Sequence, residues 1–112
     1  MRSFNDRLGL TRGEDGRSVV LDAGSEHQIA PDTIHFAVLA TIAEVAAAQS
    51  VAAAVVPAAV QLQLLRRARP GRLVGRGRTL KRGRRLATAE GEVFQDEKLV
   101  AKATVTFALL EG

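Results

Sequence analysis

Residues 33–53 read TIHFAVLATIAEVAAAQSVAA, and this alanine-rich stretch decides the fold. Alanine is the strongest helix former, so the stretch predicts a helix over about 36–53. Asp32 or Thr33 can cap its start, because both side chains accept hydrogen bonds from the free amides of a first helical turn. One long helix therefore comes early in the chain.

The two faces of this helix are not typical of a helix exposed to water. One face carries Val38, Ile42, Val45 and Gln49. The opposite stripe carries small residues and one carboxylate: Ala37, Ala40, Thr41, Glu44 and Ala48. An exposed helix would place several charged residues on such a stripe, so we expect the helix to be enclosed on most sides.

Glu44 is the only formally charged side chain between residues 33 and 65. Charged side chains are rarely found in apolar surroundings unless they have a partner or a function. Action as a general base or nucleophile is one such function. The alternative is a structural role, in which Glu44 pairs with an arginine or accepts a hydrogen bond at a subunit contact.

After the helix, apolar residues recur at every second position, which is the spacing typical of a β-strand. Val60, Leu62 and Leu64 alternate with glutamines, as in a half-buried strand. Three more strands are predicted over 73–80, 86–94 and 99–110, with turns at 69–71, 81–85 and 95–98. One face of the last strand is apolar: Leu99, Ala101, Ala103, Val105, Phe107 and Leu109. A short hairpin is predicted over 8–23, around the turn signal Asp15-Gly16.

An antiparallel sheet with one apolar face needs a cover, and the long helix can supply it. The predicted fold is α+β, with a curved antiparallel sheet wrapped around one long central helix. Gly75 and Gly77 would let that helix approach the second long strand closely. A chain of 112 residues holds one domain, 1–112.

Composition narrows the class of protein further. The chain has no cysteine, which excludes disulfides and thiolate metal sites and is typical of a protein in a reducing cytoplasm. It has only two histidines, so we expect no metal site. Residues 1–7 lack the apolar core of a signal peptide. The run 33–65 is long enough for a membrane span, but a central carboxylate costs about 2.5–3.5 kcal/mol there. We therefore expect a cytoplasmic protein without a membrane-spanning helix.

The basic residues are unevenly distributed. The net charge is +4, and ten of the 16 basic residues lie between positions 66 and 85 with no acidic residue among them. Such a stretch predicts an anionic ligand, although a solvated arginine-rich surface is the alternative. A nucleic acid is disfavoured, because no aromatic side chain interleaves the stretch to stack on bases.

The order of elements, with RPGRLV at 69–74 and RGRRLA at 82–87, resembles the hotdog-fold acyl-CoA thioesterase superfamily. The likeness is greatest to the phenylacetate-degradation and 4-hydroxybenzoyl-CoA types, and it covers roughly residues 19–107. It implies the hotdog fold and hydrolysis of a small acyl- or aryl-CoA, with the CoA thioester as substrate and no cofactor. It also implies a homodimer or homotetramer with active sites between subunits.

The resemblance implies a catalytic set as well. In this family a His-Gly-Gly segment opens the central helix, and an acidic residue follows nine positions after the histidine. His35 and Glu44 have that spacing here, so Glu44 is implied as nucleophile or general base. Phe36 and Ala37 replace the two glycines. Their backbone amides can still serve as oxyanion donors, while their side chains narrow the acyl site or block it.

The substrate-binding residues are implied in the same way. Gln28, with His27 beside it, lies in the connector where family members carry a polar acyl-site residue. The phosphates of CoA are expected at the turn between the middle strands, at Lys81, Arg82, Gly83, Arg84 and Arg85, because arginines bind phosphate through charge-assisted hydrogen bonds. A non-catalytic acyl-CoA-binding or structural hotdog protein is the alternative, and a nucleic-acid-binding protein is a weaker one.

Overall fold

A computed structural model of the protein describes residues 2–110. Its helices are α1 (Phe4–Leu8) and α2 (Phe36–Val51), with a 3₁₀ turn at Ser25–His27. Its strands are β1 (Thr11–Arg12), β2 (Val19–Ala23), β3 (Gln28–Ala30), β4 (Thr33–Ile34), β5 (Val55–Leu64), β6 (Gly71–Arg82), β7 (Leu86–Gln95) and β8 (Lys98–Leu109).

Six of these strands form one antiparallel sheet in the order β1-β2-β6-β7-β8-β5. Strands β3 and β4 pair separately, just before α2. The predicted sheet of long strands after the helix is confirmed, and β5 and β6 are each longer than the alternation pattern indicated. Within residues 2–110, β8 is the only partner strand of β5, so β5 forms one edge of the sheet.

Helix α2 lies directly on the sheet because glycines remove the side chains between them. A Cβ atom at Gly77 would overlap the backbone carbonyl of Ala46, and one at Gly91 would overlap that of Ala43. These two glycines face each other across β6 and β7. A Cβ at Gly75 would lie 2.6 Å from Cγ2 of Ile42. The predicted close approach at Gly75 and Gly77 is confirmed, and Gly91 is the partner that sequence reasoning missed.

The core lies between α2 and the sheet. Its helical side chains are Val38, Leu39, Ile42, Ala43, Ala46, Ala47 and Val51. The sheet contributes the predicted apolar face of β8, where Ala101, Ala103, Val105 and Phe107 are fully buried. The opposite stripe of α2 is only half-buried, at Ala40, Thr41, Glu44 and Ala48. The prediction that the helix is enclosed on most sides is therefore wrong for a single copy of the chain.

The N-terminal hairpin is shorter than predicted. Leu8 belongs to α1, which a reciprocal pair of hydrogen bonds between Ser3 and Asp6 caps at its start. Strand β1 then spans only two residues, Thr11–Arg12. The spacing of serine and aspartate is a known helix-start signal, and it outweighs the weak alternation of Leu8 and Leu10.

Candidate active site

Glu44 lies in the middle of α2, on the half-buried stripe that faces away from the sheet. Burial raises the pKa of its carboxyl group above the ordinary value. No hydrogen bond or neighbouring charge among residues 2–110 contributes to that shift. Within one copy the predicted alternative, a Glu44–arginine pair, is not present among these residues, and the carboxylate keeps its hydrogen-bonding capacity free.

His35 caps the start of α2, where Asp32 or Thr33 had been predicted to do so. Its Nδ1 accepts a hydrogen bond from the Ala37 N–H at 2.9 Å. Its ring stacks on the Phe36 ring, with 4.8 Å between centroids. Its own backbone N–H donates to the carbonyl of His27 at 2.9 Å. Asp32 instead lies in the β3–β4 turn, in the left-handed region at φ 59°.

This cap distinguishes the two amides that were predicted as oxyanion donors. The Ala37 N–H is already used by His35. The Phe36 N–H has no acceptor among the described residues. A helix start also carries positive partial charge, since its first amides lack intrahelical partners. Phe36 is therefore the position where an incoming carbonyl oxygen finds an unused donor.

An open apolar groove of about 380 Å³ begins at Phe36, whose side chain is 52% exposed. It runs between the helix start and the end of β5, and its apolar lining includes Ile29, Ile34, Phe36, Leu39, Leu64 and Leu65. Its volume falls in the lower part of the range typical of small-molecule sites. Leu64 and Leu65 are groove residues that the sequence analysis missed, although their apolar pair just before two arginines was a visible signal.

The structure does not bring Phe36 and Glu44 of one copy together. Glu44 is eight positions further along the α-helix than Phe36, which is about 12 Å along the axis. Their side chains also point in different directions around the helix. A carbonyl held by the Phe36 N–H is therefore out of reach of Glu44 in the same copy.

The five residues of the predicted CoA-phosphate turn are all exposed. Lys81 and Arg82 end β6, and the turn proper follows at 83–85. Arg82 Nη1 donates to the carbonyl of Val51 at 2.8 Å, at the C-terminal end of α2. The turn therefore lies at the opposite end of α2 from His35, and 16 residues of helix measure about 24 Å.

Gln28 and His27 hold the connector before α2. Gln28 Oε1 accepts from the backbone N–H of Asp32 at 2.8 Å and closes the β3–β4 turn. His27 Nδ1 accepts from the Gly24 N–H, and its Nε2 lies 2.9 Å from the carbonyl of Leu8. Neither residue lines the groove that begins at Phe36.

No group of histidine, cysteine, aspartate or glutamate side chains is placed to hold a metal ion within residues 2–110. In the same range no helix has the length and apolar character needed to cross a membrane.

Solved structures with the same architecture cover nearly the whole chain. A phenylacetic acid degradation-related protein of Ralstonia eutropha JMP134 is 26% identical, with a TM-score of 0.81 over 94% of this chain and 88% of that one. A thioesterase of Haemophilus influenzae has a TM-score of 0.86 at 19% identity, over 97% and 83%. A Bacillus halodurans protein solved with CoA has a TM-score of 0.82 at 22% identity, over 95% and 76%. At their lower identities, the last two show likeness of fold alone.

The match of the sequence itself is to a family. No curated protein sequence matches the chain. The family model of the acyl-CoA thioesterase N-terminal domain matches residues 25–108, which include α2, the strands β5, β6 and β7, and all but the last residue of β8. The chain therefore belongs to a family of thioester hydrolases, the acyl-CoA thioesterase N-terminal domain family, and has the hotdog fold.

Proposed function

We propose that the protein hydrolyses the thioester of a small acyl- or aryl-CoA, with Glu44 as nucleophile or general base. The observation that carries the proposal is the half-buried carboxylate of Glu44 on the uncovered stripe of α2, which has no partner within residues 2–110. A carboxylate whose pKa is raised by burial is a stronger base near neutral pH than an ordinary one.

The second catalytic group is the Phe36 N–H. Attack on a thioester carbonyl places negative charge on its oxygen, and a fixed donor that meets this charge lowers the barrier. The unused Phe36 amide has the position and the helix-start polarity for that task. His35 assists indirectly, because its bond to the Ala37 N–H fixes the first turn of the helix.

A complete site requires a second copy of the chain, since about 12 Å of helix separates Phe36 from Glu44 in one copy. Edge strand β5 offers ten residues whose outer side has no partner strand among the described residues. Two copies that pair antiparallel along β5 about a two-fold axis would place their α2 helices side by side and antiparallel. Phe36 of one copy would then approach Glu44 of the other.

The same arrangement would give the basic turn a role in CoA binding. With antiparallel helices, the C-terminal end of one α2 lies beside the N-terminal end of the other. Lys81, Arg84 and Arg85 of the second copy would thus approach the groove at Phe36 and donate hydrogen bonds to the phosphates of CoA. We propose a homodimer on these grounds, alone or as half of a homotetramer.

A test of the proposal is hydrolysis of a panel of acyl- and aryl-CoA thioesters by the wild type and by Glu44→Gln. We expect kcat to fall by roughly 10²- to 10⁴-fold in the variant, because the carboxylate is lost while the shape of the side chain is kept. Glu14→Gln, which removes an exposed carboxylate in the β1–β2 turn, is the matched control. Equal rates in Glu44→Gln and the control would contradict the role of Glu44.

A second candidate function is acyl-CoA binding without turnover. The observation that favours it is the half-exposed Phe36 ring, which lies next to the unused amide and narrows access to it. Calorimetry with CoA alongside the hydrolysis assay separates the two functions. Binding of CoA without hydrolysis of any thioester in the panel would favour the binding protein.

A further inference from the structure

The loop between β5 and β6, residues 65–70, is fixed in place although it carries three arginines. The backbone N–H groups of Leu65 and Arg66 both donate to the carbonyl of Val100, at 2.9 and 3.2 Å. Gln95 accepts from the Arg69 N–H at 3.0 Å and donates to the Arg69 carbonyl at 2.7 Å. The arginine side chains therefore extend from a backbone that is already ordered, which lowers the entropic cost of binding a ligand.

The middle of this loop is anchored in the core. Ala68 is 1% exposed, and its carbonyl accepts from the Ile34 N–H at 2.9 Å. Ile34 directly precedes the cap residue His35. The loop and the start of α2 are thus joined, and the arginines keep a fixed distance from the Phe36 amide.

Next to the loop lies a basin of about 470 Å³ with excess positive charge. Arg69 is neutralised by Asp32, with 3.3 Å between Nε and Oδ2. Arg66, Arg67 and Lys98 form no salt bridge among the described residues. Asp96 is the one carboxylate among the described residues that line the basin. Three cations therefore face one acid, and the basin is suited to an anion.

The basin and the apolar groove share two lining residues. Arg66 and Arg67 line both, and Phe36 lines the groove as well. A thioester whose carbonyl oxygen accepts from the Phe36 N–H, and whose apolar part lies in the groove, would reach these cations at its far end. The groove thus joins the proposed oxyanion donor to an anion site within a single copy of the chain.

We propose that Arg66, Arg67 and Lys98 bind an anionic end of the thioester substrate. The inference rests on the proposed hydrolysis, because it takes Phe36 as the point where the carbonyl binds. Two parts of a substrate supply the required chemistry: a terminal carboxylate on a dicarboxylic acyl group, and the phosphates of CoA, for which this basin and the turn at 83–85 of a second copy are alternative sites. Both accept the paired, charge-assisted hydrogen bonds that guanidinium groups donate.

Four substrates distinguish these two sources. They are acetyl-CoA, succinyl-CoA, and the acetyl and succinyl thioesters of N-acetylcysteamine, which lack the phosphates. The test variant is Arg66→Ala/Arg67→Ala, in which both replaced side chains are exposed. Arg12→Ala/Arg17→Ala removes the same charge from the opposite edge of the sheet, and Arg84→Ala/Arg85→Ala probes the competing turn.

We expect KM to rise by about tenfold or more in Arg66→Ala/Arg67→Ala for every substrate whose anion the basin holds. A rise for both CoA esters and neither cysteamine ester assigns the phosphates. A rise confined to the succinyl esters, on either carrier, assigns the acyl carboxylate. The Arg12→Ala/Arg17→Ala control should show neither pattern.

Two results would overturn the inference: an unchanged KM for all four substrates, or a rise of the same size in the Arg12→Ala/Arg17→Ala control. Hydrolysis by the wild type of none of the four, and of no thioester in the wider acyl- and aryl-CoA panel, would instead count against the proposed function. In that event, calorimetric titration with CoA and with succinate still decides the anion site. The inference is supported if CoA or succinate binds the wild type, binds Arg66→Ala/Arg67→Ala more weakly, and binds the Arg12→Ala/Arg17→Ala control as tightly as the wild type. Any other result overturns the inference.

Discussion

At the scale of single residues, Glu44 has lost hydration without gaining a partner. Its neighbours on the stripe are alanines and one threonine, and the Thr41 hydroxyl donates to the carbonyl of Ala37 rather than to the carboxylate. Desolvation without compensation disfavours the charged form of the side chain. A side chain in this state is costly for folding and useful for chemistry that begins with a proton transfer or an attack by a carboxylate.

The raised pKa of Glu44 predicts the acid limb of the pH–rate profile. Glu44 must be ionised to act as base or nucleophile, so kcat/KM should fall as the pH drops through this pKa. Because burial raises the pKa, that fall should begin at a higher pH than for an exposed glutamate. A profile of kcat/KM against pH for the wild type measures the pH at which this fall begins. A fall that begins at the pH expected for an exposed glutamate would contradict the prediction.

The same shift has a consequence for stability, with a defined sign. The folded protein holds the Glu44 proton more tightly than the unfolded chain does, so the free energy of unfolding decreases as the pH rises through the raised pKa. Glu44→Gln removes this dependence. Urea unfolding of the wild type and of Glu44→Gln, at a pH below and a pH above the acid limb, measures the free energies of unfolding and serves as the control for the kinetic measurement.

At the scale of elements, the contact between α2 and the sheet depends on the glycine pair Gly77 and Gly91. Gly91→Ala would insert a methyl group where the carbonyl of Ala43 lies. Overpacking of this kind costs about 1–3 kcal/mol in the free energy of unfolding. Chemical denaturation should show that loss for Gly91→Ala.

A matched substitution tests whether the loss comes from the helix contact. At Gly83 an added Cβ meets a single neighbouring atom, the carbonyl oxygen of Leu86 at 3.3 Å. Gly83→Ala should therefore cost less than Gly91→Ala. A cost of the same size at both positions would mean that loss of glycine flexibility, and not the close approach of α2, sets the effect.

The sequence predicted these elements well wherever local pattern and packing agree. Strand alternation in β8 and the alanine-rich run of α2 are continuous signals, and both elements end within about two residues of the expected positions. The cap of α2 was not predictable in this way. His35 is a cap because its backbone is held by His27, which in turn contacts Leu8, and that arrangement exists only in the folded chain.

The same reasoning explains which parts of the site could be predicted. Glu44 stood out because a charge in an apolar run is visible in the sequence. That the Ala37 amide is occupied while the Phe36 amide is unused depends on the rotamer of one histidine, which composition and spacing do not encode. The groove is lined by residues from two segments, 29–39 and 64–68, which are about 25 residues apart in sequence and meet only in the folded chain.

At the scale of the whole molecule, the division of the proposed site between two copies allows a complementation experiment. Phe36→Pro removes the proposed oxyanion donor, and proline is favoured at the first position of a helix. His35, with φ −61° and ψ 137°, already has a conformation compatible with a following proline. Glu44→Gln removes the other half of the site, so each variant alone should be inactive.

Mixed and reassembled, the two variants should regain activity. Random pairing makes half of the dimers mixed, and each mixed dimer has one intact site of two, so about a quarter of the wild-type activity should return. The assay is thioester hydrolysis after unfolding and refolding of the two variants together. No gain over the separate variants would show that Phe36 and Glu44 do not act across a subunit boundary.

The contact of the helix with the sheet at Gly77 and Gly91 also limits how this protein can diversify. With backbone against backbone, the space between the two layers is closed to any ligand, and enlarging it would mean lifting the whole helix. New substrate range must therefore arise from the other side of α2 and from the loop after β5. Random mutagenesis aimed at altered acyl preference should yield its successes there, while the buried layer tolerates little change.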